Sequence, residues 1–568
     1  MNVRMVLILL GAVWAVQAQD HPAKPKADVI FVHGNVYTGV TVVSAFNAVQ
    51  RVEAIAVRGE RIEAVGKTAE ILKLRGPETK VIDLDGKFVM PGFNDAHAHL
   101  ANGGWERLNV NLVGVKSLDE FRDRIRAKLE STAPGDWILG GGWDENLWPV
   151  KALPTRWDVD EVSAGHPVFL QRVDGHVAVA NTQALKLASI TLASRDPKGG
   201  KIDRDSSGQP NGILRERARE AVAGAIPEPT HDRRQEAMES ALAEAAQWGV
   251  TSVQDNSSWE DFKMLEELEK AGKLTARVTE WLPFNETLEQ LDGKRNAHPQ
   301  SDKMLHTGML KGFMDGSLGS HTAALIEPYA DDLPNSGLPQ YDTAKLSEMA
   351  KERVLAGYQL GFHAIGDKGV EMALAAFVEA EKAAKEKEVK AANGGDDYRL
   401  RIEHAQVTTP QQIVKFRDLR VVASMQPSHV LSDMKWAEAR LGPKRAQHSY
   451  AWAEFLKRGV TLAFGTDFPV EPISPFRGLY AATTRKSESG KDEYFPDQKI
   501  TIDQAIAAYT TGSAFAEFAE KEKGLIVAGK LADFVVLDRD VTAVVPQKLL
   551  ETKVLRTVVG GKTVYQAK

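Results

Sequence analysis

Two histidines placed two residues apart, His97 and His99, sit in the run Phe93-Asn94-Asp95-Ala96-His97-Ala98-His99. The run follows Val89-Met90-Pro91-Gly92, which reads as an apolar strand ending in a turn. Residues i and i+2 of a strand point to the same face, so two imidazoles at a strand end can reach one ion. A helical metal pair would need i, i+4 spacing instead. Taken alone, a His-x-His is as readily a pair of solvated histidines, and the rest of the chain must decide.

Four further candidates end apolar runs. They are Lys311 in Met309-Leu310-Lys311-Gly312, His363 in Gly361-Phe362-His363-Ala364, His404 in Arg401-Ile402-Glu403-His404 and Asp467 in Phe464-Gly465-Thr466-Asp467. Each has an ordinary reading. A strand-end histidine is often a hydrogen-bonded rim residue, Gly-Thr-Asp is often a helix N-cap, and Lys311 could pair with Asp315, which shares its strand parity. Together they offer one convergent set of nitrogen and oxygen ligands.

The elements that must position this set are eight apolar runs: Phe88–Phe93, Thr251–Gln254, Ala276–Leu282, Met309–Met314, Gln359–His363, Leu400–His404, Val421–Gln426 and Val460–Phe464. Amphipathic or Ala/Glu-rich stretches such as Arg234–Trp248, Ala344–Leu355 and Lys368–Glu388 lie between most of them. Eight strand–helix alternations predict an α/β chain folded as a (β/α)8 TIM barrel, with its chemistry at the C-terminal face. The barrel is expected over residues 90–524. Short β-like runs in residues 19–89 and 525–568 predict one composite β-sandwich from both termini, because neither piece alone has enough strands to bury a core. The gap at residues 101–229 is too long for a βα loop and predicts an inserted subdomain after barrel strand 1.

At 568 residues, with 43% hydrophobic and 26% charged residues and a net charge of −6, the chain has the balance of a globular protein. No basic stripe points to nucleic acid. The absence of cysteine excludes disulfides, thiolate zinc sites and a cysteine nucleophile. Arg4, the apolar stretch Met5–Val16 and Val16-Gln17-Ala18 read as a signal peptide, residues 1–18, cleaved before Gln19. The stretch is shorter than the ~20 residues that span a bilayer, so no stable membrane anchor is expected, and the mature protein should be periplasmic or secreted.

The motifs Pro91-Gly92-Phe93-Asn94-Asp95-Ala96-His97-Ala98-His99, Lys311-Gly312-Phe313-Met314-Asp315-Gly316-Ser317, His363-Ala364-Ile365-Gly366-Asp367, Glu403-His404-Ala405-Gln406, Gly465-Thr466-Asp467-Phe468-Pro469 and Lys530-Leu531-Ala532-Asp533-Phe534-Val535-Val536-Leu537 follow in order along the chain. In these motifs the chain resembles the amidohydrolase superfamily, and within it the amidohydrolase-3 group with its N-substituted formamide deformylase-like members. The resemblance implies two divalent metal ions, zinc before manganese, cobalt or iron. His97, His99 and Asp467 would hold one ion, and His363 and His404 the other. Lys311, carboxylated on its side-chain nitrogen, would bridge them; an unmodified Lys311 would leave a single ion. It also implies a metal-dependent hydrolase of carbon–nitrogen bonds other than peptide bonds, acting on a small-molecule amide, with Asp467 moving the proton. The alternatives are an N-acyl-amino-acid deacylase or peptidase-like activity, for which Arg172, Arg215 or Arg445 could clamp a carboxylate, and a metal-free binding scaffold.

His176, within Asp174-Gly175-His176 in the insertion, resembles a family motif and is a candidate donor to the substrate carbonyl, or else a structural histidine. Trp143, Asp144, His429 and His321 are candidate substrate contacts at the barrel mouth. Trp105, Trp143, Trp148 and Trp157 could line an apolar pocket, although tryptophan is also an ordinary core residue. The oligomeric state is open, a homodimer being one arrangement.

Overall fold

The computed structural model describes residues 26–41, 49–173 and 176–568. The proposed signal segment and Asp174-Gly175 lie outside the described residues. Eight strands form a parallel sheet in sequential order: β1 (Phe93–Ala98), β2 (Val250–Asp255), β3 (Arg277–Pro283), β4 (Leu305–Phe313), β5 (Leu360–Ala364), β6 (Arg401–His404), β7 (Val422–Met425) and β8 (Leu462–Phe464). β1, β2, β6, β7 and β8 are buried along their whole length, as expected of a parallel sheet covered by helices. The ring is nearly closed. Past β8, Asp467 N donates to His97 O at 2.7 Å and His99 N donates to Phe468 O at 2.8 Å. These backbone bonds join the last strand to the first at three of the candidate ligands.

The intervening helices follow their sequence signals. Helix His231–Gln247 starts on Thr230, whose side chain accepts Arg233 N, and buries Met238, Ala241, Leu242 and Ala245. Helix Thr343–Leu355 is capped by Asp342, and helix Asp367–Glu386 buries Val370, Ala373, Leu374 and Phe377 on one face. Both patterns put an apolar stripe against the strands and leave charge outside.

The first apolar run divides differently from its reading in the sequence. Phe88–Pro91 leaves the barrel and pairs antiparallel with Phe534–Leu537, while β1 begins at Phe93. Gly92 makes the junction, because a Cβ there would stand 2.3 Å from the Thr251 side chain. The six-stranded sheet containing Phe88–Pro91 draws on both ends of the chain, from Asn35–Thr41 to Lys562–Gln566. A four-stranded sheet over residues 29–83 packs on it, with Phe31 edge-on to Phe534 at 5.0 Å. Between β1 and β2 lies a separate six-stranded sheet, from Val110–Asn111 to Pro210–Glu216, around its own apolar cluster. Among the described residues no helix is long and apolar enough to cross a membrane.

Candidate metal centre

His97, His99, Lys311, His363, His404 and Asp467 come together at the C-terminal mouth of the barrel, in a cavity of about 380 Å³. His97 is buried on β1. Its Nδ1 lies 3.0 Å from Glu403 Oε2, so Nδ1–H donates to that carboxylate and Nε2 is left bare toward the site. His99 Nδ1 donates to Asn256 O at 2.9 Å, and its Nε2 lies 3.1 Å from Asp467 Oδ1. His363 Nε2 donates to Gly316 O at 3.1 Å, leaving Nδ1 for the site. His404 is buried with no hydrogen-bond partner for its Nδ1. Each ring on a backbone carbonyl or carboxylate has its tautomer set by that bond, the usual arrangement for histidines that hold metals.

Backbone strain gathers at the same place. His404 and Asp467 have φ of 72° and 60°, left-handed values uncommon for non-glycine residues. Asp95 supports the turn that carries Asp467. Its Oδ1 accepts Thr466 N at 2.9 Å and His97 N at 3.1 Å, and its Oδ2 accepts Thr466 Oγ1 at 2.5 Å. Gly465 lets β8 approach β1 there, since a Cβ would stand 2.5 Å from His97 N.

The electrostatics suit ligands. Burial, reinforced by the Lys311 charge, lowers His97 to about 4 and His363 to about 3. Burial and neighbouring His363 hold His404 well below the ordinary histidine range. All three are neutral imidazoles near pH 7. Burial opposes charge on Asp467, yet His97, His429 and His99 keep it well below the ordinary carboxylate range. Burial lowers Lys311 to about 8, so a fraction of its side chain is free amine. Its Nζ lies 3.1 Å from His97 Nε2 rather than on Asp315. Asp315 instead accepts backbone N–H groups from Ile365, Gly366 and Ala324. Among the described residues, two groups have ligand atoms within 4.8 Å of one another: His97, His99 and Asp467, and His404, His429 and Asp467. Neutral imidazoles and an ionised carboxylate around an unpartnered buried nitrogen fit a divalent ion.

The other candidates distribute unevenly. His429 enters the site, with Nε2 3.3 Å from Asp467 Oδ2. Burial works against its charge, but Asp467, with Asp433 and Glu471 behind it, raises it to about 9. Trp143 does not reach the mouth. It is fully buried in the insertion core, with ring centroids 6.3 Å from those of Phe121 and Trp148. Trp148 is also core, Trp157 is exposed, and Trp105 lines a different groove beneath the insertion. Asp144 caps a short turn and binds Arg172 at 2.9 Å. His176 lies on the surface with Nδ1 3.1 Å from Glu216 Oε2. His321 pairs with Asp331 at 3.0 Å outside the cavity lining. In each case the apolar ring or local ion partner nearest in the subdomain or loop claims the side chain.

The residues missed from the sequence are Glu403, Arg401 and Asp433. Arg401 Nε donates to Glu403 Oε1 at 2.9 Å, and Arg401 Nη2 donates to Glu403 Oε2 at 3.2 Å, to Ala96 O and to Ser424 Oγ. Gln254 Oε1 takes the remaining donor, Nη1. Two opposite charges at i and i+2 of an interior strand were the available signal. Their shared parity sends both into the barrel, where buried charges must pair.

The chain belongs to the amidohydrolase family, whose sequence profile matches residues 80–565. It is 35% identical over 556 residues to Protein LONG AFTER FAR-RED 3 of Arabidopsis thaliana, covering 96% of this chain and 92% of that protein. It is 28% identical over 566 residues to N-substituted formamide deformylase of Arthrobacter pascens, covering 95% of this chain and 98% of that one. The crystal structure of an uncharacterized metal-dependent hydrolase from Pyrococcus furiosus is similar at a TM-score of 0.72 and 32% identity, over 90% of this chain and 99% of that chain.

Proposed function

We propose that this protein hydrolyses the carbon–nitrogen bond of a small N-acyl or N-formyl amide, outside peptide chemistry. The observation that carries the reading is the meeting of His97, His99 and Asp467 with His363, His404 and Lys311 at one cavity floor. His97, His99 and Asp467 would hold one divalent ion, and His363 and His404 a second, with zinc the ion best matched to this donor set. A carboxylated Lys311 would bridge them; its lowered pKa supplies the free amine that carbon dioxide needs. When bound, the ions polarise the scissile carbonyl and acidify water.

The remaining work falls to the chain itself. Asp467, ionised and facing the cavity, takes the proton of the attacking water as the C–O bond forms. It returns that proton to the nitrogen as the C–N bond breaks, giving an acid and an amine. His429 stands 3.3 Å from Asp467 Oδ2 as an ion-pair partner that keeps the carboxylate ionised. His97 and His99 are kept in one tautomer by Glu403 and the Asn256 carbonyl.

The test is turnover of N-formyl amines, N-acyl amino acids, dipeptides and cyclic amides by metal-loaded protein, with metal content measured in parallel. Metal-loaded protein that cleaves dipeptides but no simple amide would refute the reading. Export belongs to the same proposal: Arg4, the apolar stretch and Val16-Gln17-Ala18 support cleavage before Gln19. N-terminal sequencing of protein from the periplasmic or secreted fraction checks it, and an intact Met1 on membrane-extracted protein would refute it. The partner proposed is the small-molecule amide alone, without nucleic acid or a membrane anchor.

A further inference from the structure

We infer that the cavity selects N-acyl amines whose amine part is apolar and carries no carboxylate, with Asp433 as the residue that enforces the exclusion. The inference rests on the amide-hydrolysing reading above and narrows its substrate class.

Among the described residues, the cationic groups that line the cavity are already committed: Lys311 is buried at the floor beside His97, and His429 is paired with Asp467 at 3.3 Å. The arginines that could have clamped a carboxylate are engaged elsewhere. Arg172 binds Asp144 and Glu145, Arg215 binds Asp203 at 2.8 Å, and Arg445 donates to the carbonyls of Leu441, Glu327 and Pro328. Beside His429 the wall carries a further carboxylate. Asp433 lies on the short helix His429–Asp433 and is held by Tyr450 OH at 2.5 Å.

Beside Ser317, Gly319 and Gln406, the apolar part of the wall is Phe313, Leu318, Ile365, Trp436 and Val470. Phe313 and Val470 remain 44% and 65% exposed although they border the site. Apolar side chains left uncovered around convergent polar groups are what a binding cavity for an apolar ligand shows. A hydrocarbon substituent on the amide nitrogen would cover them. A carboxylate in the same place would lose its hydration without an uncommitted cationic partner and would face Asp433.

The test pairs molecules that differ by one carboxylate. N-(3-methylbutyl)acetamide is N-acetylleucine without its carboxyl group, and kcat/KM should favour it by about 30-fold or more. Binding is read separately, by calorimetry on metal-loaded protein with N-pentylacetohydroxamic acid and N-(5-carboxypentyl)acetohydroxamic acid, which carry the chain on nitrogen. The neutral probe should bind at least about 30-fold more tightly. Asp433→Lys should erase most of that preference. Asp433→Asn, which keeps the size and a Tyr450 partner, should narrow it about 3- to 10-fold, so a misfolded lysine variant does not remove the test. Equal or tighter binding of the carboxylate probe by the natural protein, or a preference unchanged in the asparagine variant, would overturn the inference. Preference for the neutral probe without turnover of any amide would uphold the cavity's selectivity and sink the hydrolytic reading instead.

Discussion

Glu403→Gln is the most revealing single change, because it alters one atom of a buried network and leaves every candidate metal ligand in place. Glu403 is fully buried and accepts from Arg401 at 2.9 and 3.2 Å and from His97 Nδ1–H at 3.0 Å. Burial alone would favour its neutral form, but the Arg401 charge and the His97 hydrogen bond bring it down to about 2. A glutamine has one acceptor oxygen where the glutamate has two. With that oxygen on Arg401, its NH2 faces His97 Nδ1, which must then accept. The His97 proton moves to Nε2, the nitrogen that faces the site. The opposite orientation sets an NH2 group against the guanidinium. Metal affinity should therefore fall by about 10–100-fold, the range for loss of such outer partners. Leaving Arg401 buried without its carboxylate should also destabilise the metal-free protein by about 3–5 kcal/mol. Chelator competition measures the first effect and urea unfolding of stripped protein the second. Glu403→Gln combined with Arg401→Met should recover much of the stability, since neither charge is left unpaired, without recovering metal affinity. A single variant that binds metal within about 2-fold of the natural protein would refute the tautomer argument.

Other consequences follow from the same geometry. Asp467→Asn keeps the size but not the proton-accepting charge, and should cut kcat by at least about 10²–10⁴-fold in a protein that still folds and keeps some metal; activity within a few fold of the original would assign the proton to another group. Lys311→Ala should lose both metal and activity, with partial recovery on adding short carboxylic acids; clear crystallographic density for a bare ammonium beside an active metal site would contradict the bridge. The metal-free protein should weaken in acid. His97 and His363 are held near 4 and 3, chiefly by burial, below the ordinary value of about 6.5. Between those values the unfolded chain binds protons that the folded chain does not, so stability falls as pH drops from about 6.5 toward 4. A melting temperature of stripped protein that stays level from pH 7 to 4 would show these histidines already charged in the fold.

The barrel and its six floor residues were legible because the signals are local. Strand parity aims His97 and His99 to one face, and each of Lys311, His363, His404 and Asp467 ends or follows an apolar run. The division at Gly92 was not legible, because the apolar run Phe88–Phe93 continues across it. Only pairing with Phe534–Leu537, more than 400 residues away, assigns the first to another sheet. Trp143 shows the reverse problem. An aromatic beside acidic residues reads as a mouth contact, but it fills the core made with Phe121 and Trp148. Asp433 and the displaced arginines were likewise beyond the sequence. Whether a charge lines a cavity or is spent on a neighbouring carbonyl or carboxylate depends on partners brought near only by folding. Residue type and local period thus determined which atoms could bind metal, while long-range packing decided which of the remaining polar groups meet the ligand, because a buried charge settles wherever the fold provides its partner.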